Sequence, residues 1–202
     1  MINFYFVRHG ETIWNKTGRY QGSTDVPLSE LGHEQAEKAA LWFQKEHFDG
    51  VISSPLGRAR ETAEAIAADR HLDVEINPLL QELCFGDWEG KTAEEIEKLW
   101  PGMIEEMYHR PELLSLPHGE SFADCQKRGL SAIRALIARG DEKSYVIVSH
   151  GAILRTIVCG MLQLPLSRAW NFSFSNTGIT NIYHYPMDMN VLHFLNLTEH
   201  LR

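Results

Sequence analysis

Phe4-Tyr5-Phe6-Val7 and Tyr145-Val146-Ile147-Val148 are apolar without alternation, and each runs straight into a polar triplet, Arg8-His9-Gly10 and Ser149-His150-Gly151. Such runs read as strands covered on both faces, in the interior of a parallel α/β sheet. Ligands of these sheets gather just beyond the carboxyl ends of the strands. Two histidines delivered there by separate strands are expected to meet over one site.

The remaining segments alternate in kind. Ser29 is placed to cap a helix running to about residue 47, with Ala36, Ala39, Ala40 and Phe43 along its inner face. Residues 50–54 and 74–76 read as short strands and residues 57–70 as an alanine-rich helix. Residues 92–99 and 120–139 read as helices, the second with Phe122, Cys125, Gly129, Ile133, Leu136 and Ile137 as its inner stripe. The strand at 145–149 leads into a helix over 152–162, and runs at 178–185 and 191–195 suit edge strands. Residues 100–119 carry Pro101, Pro111 and Pro117 without a clean period, and are expected to cross one face as a short cap. Together these predict one domain over residues 1–202, an α/β three-layer αβα sandwich with a mostly parallel central sheet and an antiparallel edge.

Composition narrows the partners. A net charge of −8 argues against nucleic acid and against an anionic membrane surface, so an anionic ligand would need positive charge concentrated locally. Cys84, Cys125 and Cys159 form no C-x-x-C pair, and neither a disulfide scaffold nor zinc is suggested; inert buried thiols are expected. No H-x-x-x-H or H-E-x-x-H pair suggests a metal, and no cofactor is expected. The chain opens directly on a strand, and no apolar run is long enough to cross a bilayer, so a cytoplasmic location is expected. Monomer and homodimer both remain open.

The strand ends carry the chemistry. Arg8 presents a planar donor fork suited to phosphate or carboxylate, and Gly10 would let a ligand approach the backbone. His150-Gly151 lies at a helix N-terminus, where unpaired N–H groups and the helix dipole favour an anion. The segment Ser53-Ser54-Pro55-Leu56-Gly57-Arg58-Ala59-Arg60 also leaves a strand and opens a helix. Arg58 and Arg60 point to roughly opposite sides of that helix, and Arg58, nearer its start, is the better placed to face the strand ends.

With Trp14-Asn15 behind it, Arg8-His9-Gly10-Glu11-Thr12 resembles the signature of the histidine phosphatase (phosphoglycerate mutase-like) superfamily. So do Pro27-Leu28-Ser29-Glu30-Leu31-Gly32, residues 53–63, Glu82-Leu83-Cys84-Phe85-Gly86-Asp87-Trp88-Glu89-Gly90, and Ser149-His150-Gly151, in the same order along nearly the whole chain. The compact bacterial phosphatases, broad-specificity and α-ribazole, are the most similar branch. The resemblance implies that His9 is a nucleophile forming phosphohistidine, its other ring nitrogen held by a backbone carbonyl. It implies that Arg8, Arg58 and His150 surround the transferring phosphoryl group, that Asn15 adds a donor, and that Gln21 and Gly22 line the entrance.

Glu82 is the implied proton donor, its Leu79, Leu80, Leu83 and Phe85 neighbours expected to keep it protonated, with Glu11 as runner-up. Gly151, His118 and Glu120 are implied to border the substrate. The five tryptophans are expected to pack, and His33, His47, His71, His184, His193 and His200 to lie at the surface or an edge. The expected function is metal-independent hydrolysis of small phosphorylated metabolites. A mutase that returns the phosphoryl group to substrate is the alternative, and a non-catalytic phospho-ligand module a third reading. The excursion at 100–119 holds only Arg110 against Glu105, Glu106 and Glu112, which favours hydrolysis.

Overall fold

The computed structural model describes residues 1–140 and 142–202. Its centre is a six-stranded sheet ordered β3-β2-β4-β1-β5-β6. The strands are β1 (Ile2–Arg8), β2 (Gly50–Ser53), β3 (Val74–Ile76), β4 (Ser144–Ser149), β5 (Ile179–Tyr185) and β6 (Met189–Leu197). The first four are mutually parallel where they pair, while β5 and β6 run antiparallel as the edge.

Both faces of the central strands are covered, which explains their unbroken apolar sequence. Phe4, Phe6 and Ile147 pack to one side, among residues of α6 (Phe122–Ile137) and α7 (Gly151–Met161). Tyr5, Val7, Val146 and Val148 pack to the other, against α2 (Glu30–Phe43) and α3 (Gly57–Ala68). Ser29 caps α2 as expected, its hydroxyl accepting from the Gly32 N–H at 3.0 Å. Ala36, Ala39 and Phe43 are buried there, whereas Ala40 is half-buried. In α6 the inner stripe also takes in Ala132, while Ile137 is only half-buried.

Several short elements escaped the sequence pattern, 3₁₀ segments at Pro78–Leu80, Gly86–Trp88 and Glu199–Leu201 among them. A four-residue helix, α1 (Ile13–Lys16), follows the first histidine, closed by a capping box between Thr12 and Asn15. Beyond α4 (Ala93–Leu99), the excursion forms a short helix, α5 (Met103–His109), that buries Met107. A 3₁₀ segment, Leu166–Asn171, follows α7. Cys125 and Cys159 are buried and unpaired, and burial pushes both thiols up, Cys159 to about 11. His184, expected at an edge, does lie on β5 but is buried against Asn190. No helix among the described residues is long and apolar enough to cross a membrane.

Candidate active site

Register brings the histidines together. Arg8 pairs with Ser149 across two parallel strands, so the next residues, His9 and His150, leave the sheet side by side. Their ring centroids are 5.1 Å apart, with the planes at 56°. A cavity of about 350 Å³ opens at these strand ends, lined by Arg8, His9, Asn15, Gln21, Gly22, Arg58, Glu82 and Gly151 among others.

The His9 ring is almost fully buried, and its Nδ1 lies 2.7 Å from the Gly10 carbonyl. A carbonyl only accepts, so Nδ1 carries the proton and the Nε2 lone pair is free. Burial, then the Arg58 and Arg8 charges, hold His9 well below the ordinary histidine range. His150 is lowered for the same reasons, burial first. Arg58 Nε donates to His150 Nδ1 at 3.2 Å, leaving its Nε2–H to donate to Ser54 Oγ at 2.7 Å. His150 is thus fully buried behind the cavity wall and does not line the cavity.

Arg58 is completely buried, and Arg60 is exposed beside Glu64, as its place on the helix predicts. Arg58 donates to the Gly22 and Thr24 carbonyls, each at 2.8 Å. Glu89 fixes that loop, accepting from Ser23 N at 2.8 Å, Thr24 N at 3.0 Å and Phe85 N at 3.2 Å. Arg8 donates through Nη1 to the Phe174 carbonyl at 2.7 Å, and its buried Nε has no partner. Burial lowers both guanidiniums, Arg58 to about 10, which leaves them cationic at neutral pH. The local positive charge that an acidic chain needs for an anionic ligand is therefore present.

Asn15 Oδ1 accepts from Thr12 N at 3.1 Å and Asn176 Nδ2 at 3.2 Å, which turns its own Nδ2 toward the cavity it lines. Asn176 also donates to the His9 carbonyl at 3.0 Å. Gln21 is buried at the cavity wall with Oε1 unpartnered.

The start of α7 does hold an anion, but it is a side chain of the protein. Glu82 Oε2 accepts from Ala152 N at 3.1 Å, and Oε1 accepts from Ile153 N at 3.0 Å and Leu83 N at 2.8 Å. Of the apolar neighbours expected around Glu82, Leu80, Leu83 and Phe85 are buried and Leu79 is exposed, while three backbone donors reach its carboxyl group, contacts that suit a carboxylate. Of these donors Oε2 receives a single N–H, and Glu82 lines the cavity.

Several expectations need correction. His118 is exposed and pairs with Asp87, outside the cavity lining. Glu120 is also outside it: Arg128 clasps both its oxygens at 2.7 and 2.8 Å and donates to the Glu82 carbonyl at 3.0 Å. Glu120 therefore steadies the Glu82 segment from behind. Glu11, the runner-up acid, accepts from the Ser29 hydroxyl at the start of α2 and lies off the cavity. Gly10 is required by packing, since a Cβ there would stand 2.4 Å from the Gly32 carbonyl oxygen. Trp170, expected only to pack, lines the cavity, as do Tyr20, Tyr108 and Arg155. These came from segments without a recognisable period, and Arg155 alone had a readable clue, being one helical turn beyond Gly151.

The two depressed histidines set a pH dependence of stability. Each is neutral when folded but protonates near pH 6.5 when unfolded, so the unfolded chain binds more protons below that pH. The native state is expected to lose stability as pH falls from about 6.5 toward the depressed folded values. In urea melts at pH 7.5 and 5.5 in phosphate-free buffer, the drop should be smaller for His9→Gln than for wild type. An equal drop in both proteins would contradict the assignment of His9 as a depressed histidine.

Residues 4–198 match the family model described as histidine phosphatase superfamily (branch 1). Phosphoserine phosphatase 1 of Hydrogenobacter thermophilus is 34% identical over 201 residues, covering 100% of this chain and 95% of the relative. Among solved structures, Bacillus stearothermophilus YhfR superposes with a TM-score of 0.94 at 30% identity, each chain covered in full. A mutant phosphoserine phosphatase from Entamoeba histolytica, solved with phosphoserine, gives a TM-score of 0.87 at 34% identity, again over both whole chains.

Proposed function

The chain belongs to branch 1 of the histidine phosphatase superfamily and is a phosphomonoesterase, and from that premise we propose that one domain hydrolyses small phosphorylated metabolites through His9, with Glu82 as proton donor. The observation that carries this reading is the His9 Nδ1–H···O=C bond to Gly10, which leaves Nε2 free among buried arginines. Nε2 attacks phosphorus while the ester oxygen departs with a proton from Glu82, giving phosphohistidine and the alcohol. The proton passes through Oε2, which receives one backbone N–H where Oε1 receives two. Glu82, now a carboxylate, takes a proton from water as its oxygen attacks phosphorus, which releases phosphate and restores His9. Arg8, Arg58 and the Asn15 amide offset charge on the equatorial oxygens.

Water as the acceptor is supported by the excursion over residues 100–119. Its one arginine, Arg110, is exposed just past the end of α5 and lies beside Glu106 of that helix. Relatives named for phosphoserine support a small metabolite as substrate. Three unpaired thiols support a reducing, cytoplasmic setting.

The test follows ³²P from labelled 3-phosphoglycerate in EDTA. Label is expected in inorganic phosphate, with an alkali-stable, acid-labile phosphoprotein trapped on alkaline quench. Label appearing in 2-phosphoglycerate would establish the mutase instead, and loss of turnover in EDTA would overturn the metal-independent route.

A further inference from the structure

Arg155 is a cation that the scheme above does not use. It projects from the second turn of α7 into the cavity wall, its guanidinium 4.5 Å above the Trp170 ring centroid and 5.6 Å from that of Phe174. Nε donates to the Phe172 carbonyl at 3.2 Å and Nη1 to the Gly151 carbonyl at 2.8 Å. Its hydrogen bonds among the described residues go to these carbonyls and not to a carboxylate. Burial, and then the charge of Arg8, lower it to about 10, so it is cationic at neutral pH. Glu82 offsets part of that cost from a distance, but a buried cation with no carboxylate in direct contact, facing a second arginine, still gains from an anion that joins the two.

Arg155 borders the phosphoryl nest without being one of its members. A Cβ on Gly151 would stand 3.1 Å from Arg155 Nη1 and 3.6 Å from Arg8 Nε, so both guanidiniums approach that residue on its side-chain side. Arg8 stands toward His9, whereas Arg155 stands toward Trp170 and, at the edge of that ring, Tyr108. Stacking on Trp170 fixes the guanidinium plane, and the two carbonyl bonds leave the Nη edge with in-plane donors. That edge matches the two coplanar oxygens of a carboxylate. Beside it, the Trp170 Nε1–H is buried without a partner, a further donor for an anionic or polar group.

We infer that Arg155, held by Trp170, is the specificity residue that reads a carboxylate on the alcohol side of the ester, so that the preferred substrates are phosphorylated hydroxy acids or amino acids. This rests on the reading of His9 as the site of phosphoryl transfer. The carboxylate arm extends from the leaving oxygen, near Glu82, across Gly151 to the Nη edge.

The test uses calorimetric binding in a His9→Ala background, which needs no turnover, with 3-phosphoglycerate and glycerol 3-phosphate as a matched pair. Adding Arg155→Met is expected to weaken 3-phosphoglycerate roughly 30-fold, as for a lost charged bidentate pair, and glycerol 3-phosphate less than about threefold. Arg155→Lys, which keeps the charge but loses the fork, should fall between. Equal weakening of both ligands, no weakening of either, or no preference in the parent would each overturn the proposal. Turnover of p-nitrophenyl phosphate by the otherwise wild-type chain is measured in parallel. Its absence would count against the phosphatase reading while the binding comparison still decides the role of Arg155.

Discussion

His9→Ala is expected to lower kcat for every phosphomonoester by at least about 10⁴-fold, because the step that builds the covalent intermediate loses its only nucleophile. The arginines stay in place, since Arg8 is anchored on the Phe174 carbonyl and Arg58 on the carbonyls of Gly22 and Thr24. Binding of vanadate or inorganic phosphate should therefore stay within about tenfold of wild type, with fluorescence or calorimetry as the readout. The variant should stay folded at pH 7, with a melting temperature within several degrees of wild type, the lost bond to the Gly10 carbonyl being open to replacement by water from the cavity. Retained turnover would remove His9 from the mechanism, and lost phosphate binding would show that the ring, not the arginines, holds the phosphoryl group.

Glu82→Gln is expected to be the other large effect, and its size should depend on the leaving group. For glycerol 3-phosphate, whose alkoxide needs a proton, kcat/KM should fall by about 10²–10⁴-fold. For p-nitrophenyl phosphate, whose nitrophenolate leaves unaided, the fall should be less than about tenfold. The comparison belongs on kcat/KM, which reports phosphoryl transfer to His9. Hydrolysis of phosphohistidine also uses Glu82 and is common to both substrates, so a burst of nitrophenol should precede a slow steady state. The amide is not silent structurally: its NH₂ would face one of the N–H groups of Ala152, Ile153 or Leu83 that the carboxylate now receives, at a cost of about 1–3 kcal/mol. Because both substrates meet the same folded fraction, the ratio between them is free of that loss. Equal slowing of kcat/KM would reassign the proton donor.

Much of this was legible in the chain, for identifiable reasons. Apolar runs without alternation give away doubly covered strands, and the helix-period alanines of α2 give away its inner face. Arg58 was separable from Arg60 because two residues along a helix reverse the direction of a side chain. What stayed hidden depends on chain reversal in three dimensions. Nothing local in Glu120 shows that Arg128, eight residues on, will clasp it and turn it from substrate toward the Glu82 segment. Nothing in Glu82 announces that the first N–H groups of α7 will reach its carboxylate. Trp170 and Tyr108 reach the cavity from the 3₁₀ segment and the short helix α5, where no period signals a direction.

The sheet order carries a consequence for synthesis. β1 lies between β4 and β5, and both neighbours are made long after it. At ribosomal rates of about 5–20 residues per second, the first strand waits on the order of ten seconds for its partners. During that interval Ile2 to Val7 is an apolar segment with unpaired edges and no charged residue of its own, a template for wrong partners. His9 thus leaves the ribosome more than a hundred residues before His150, its neighbour in the folded chain, and waits for its surroundings. The yield of this protein should therefore respond to chaperone supply and growth temperature, which act during that interval.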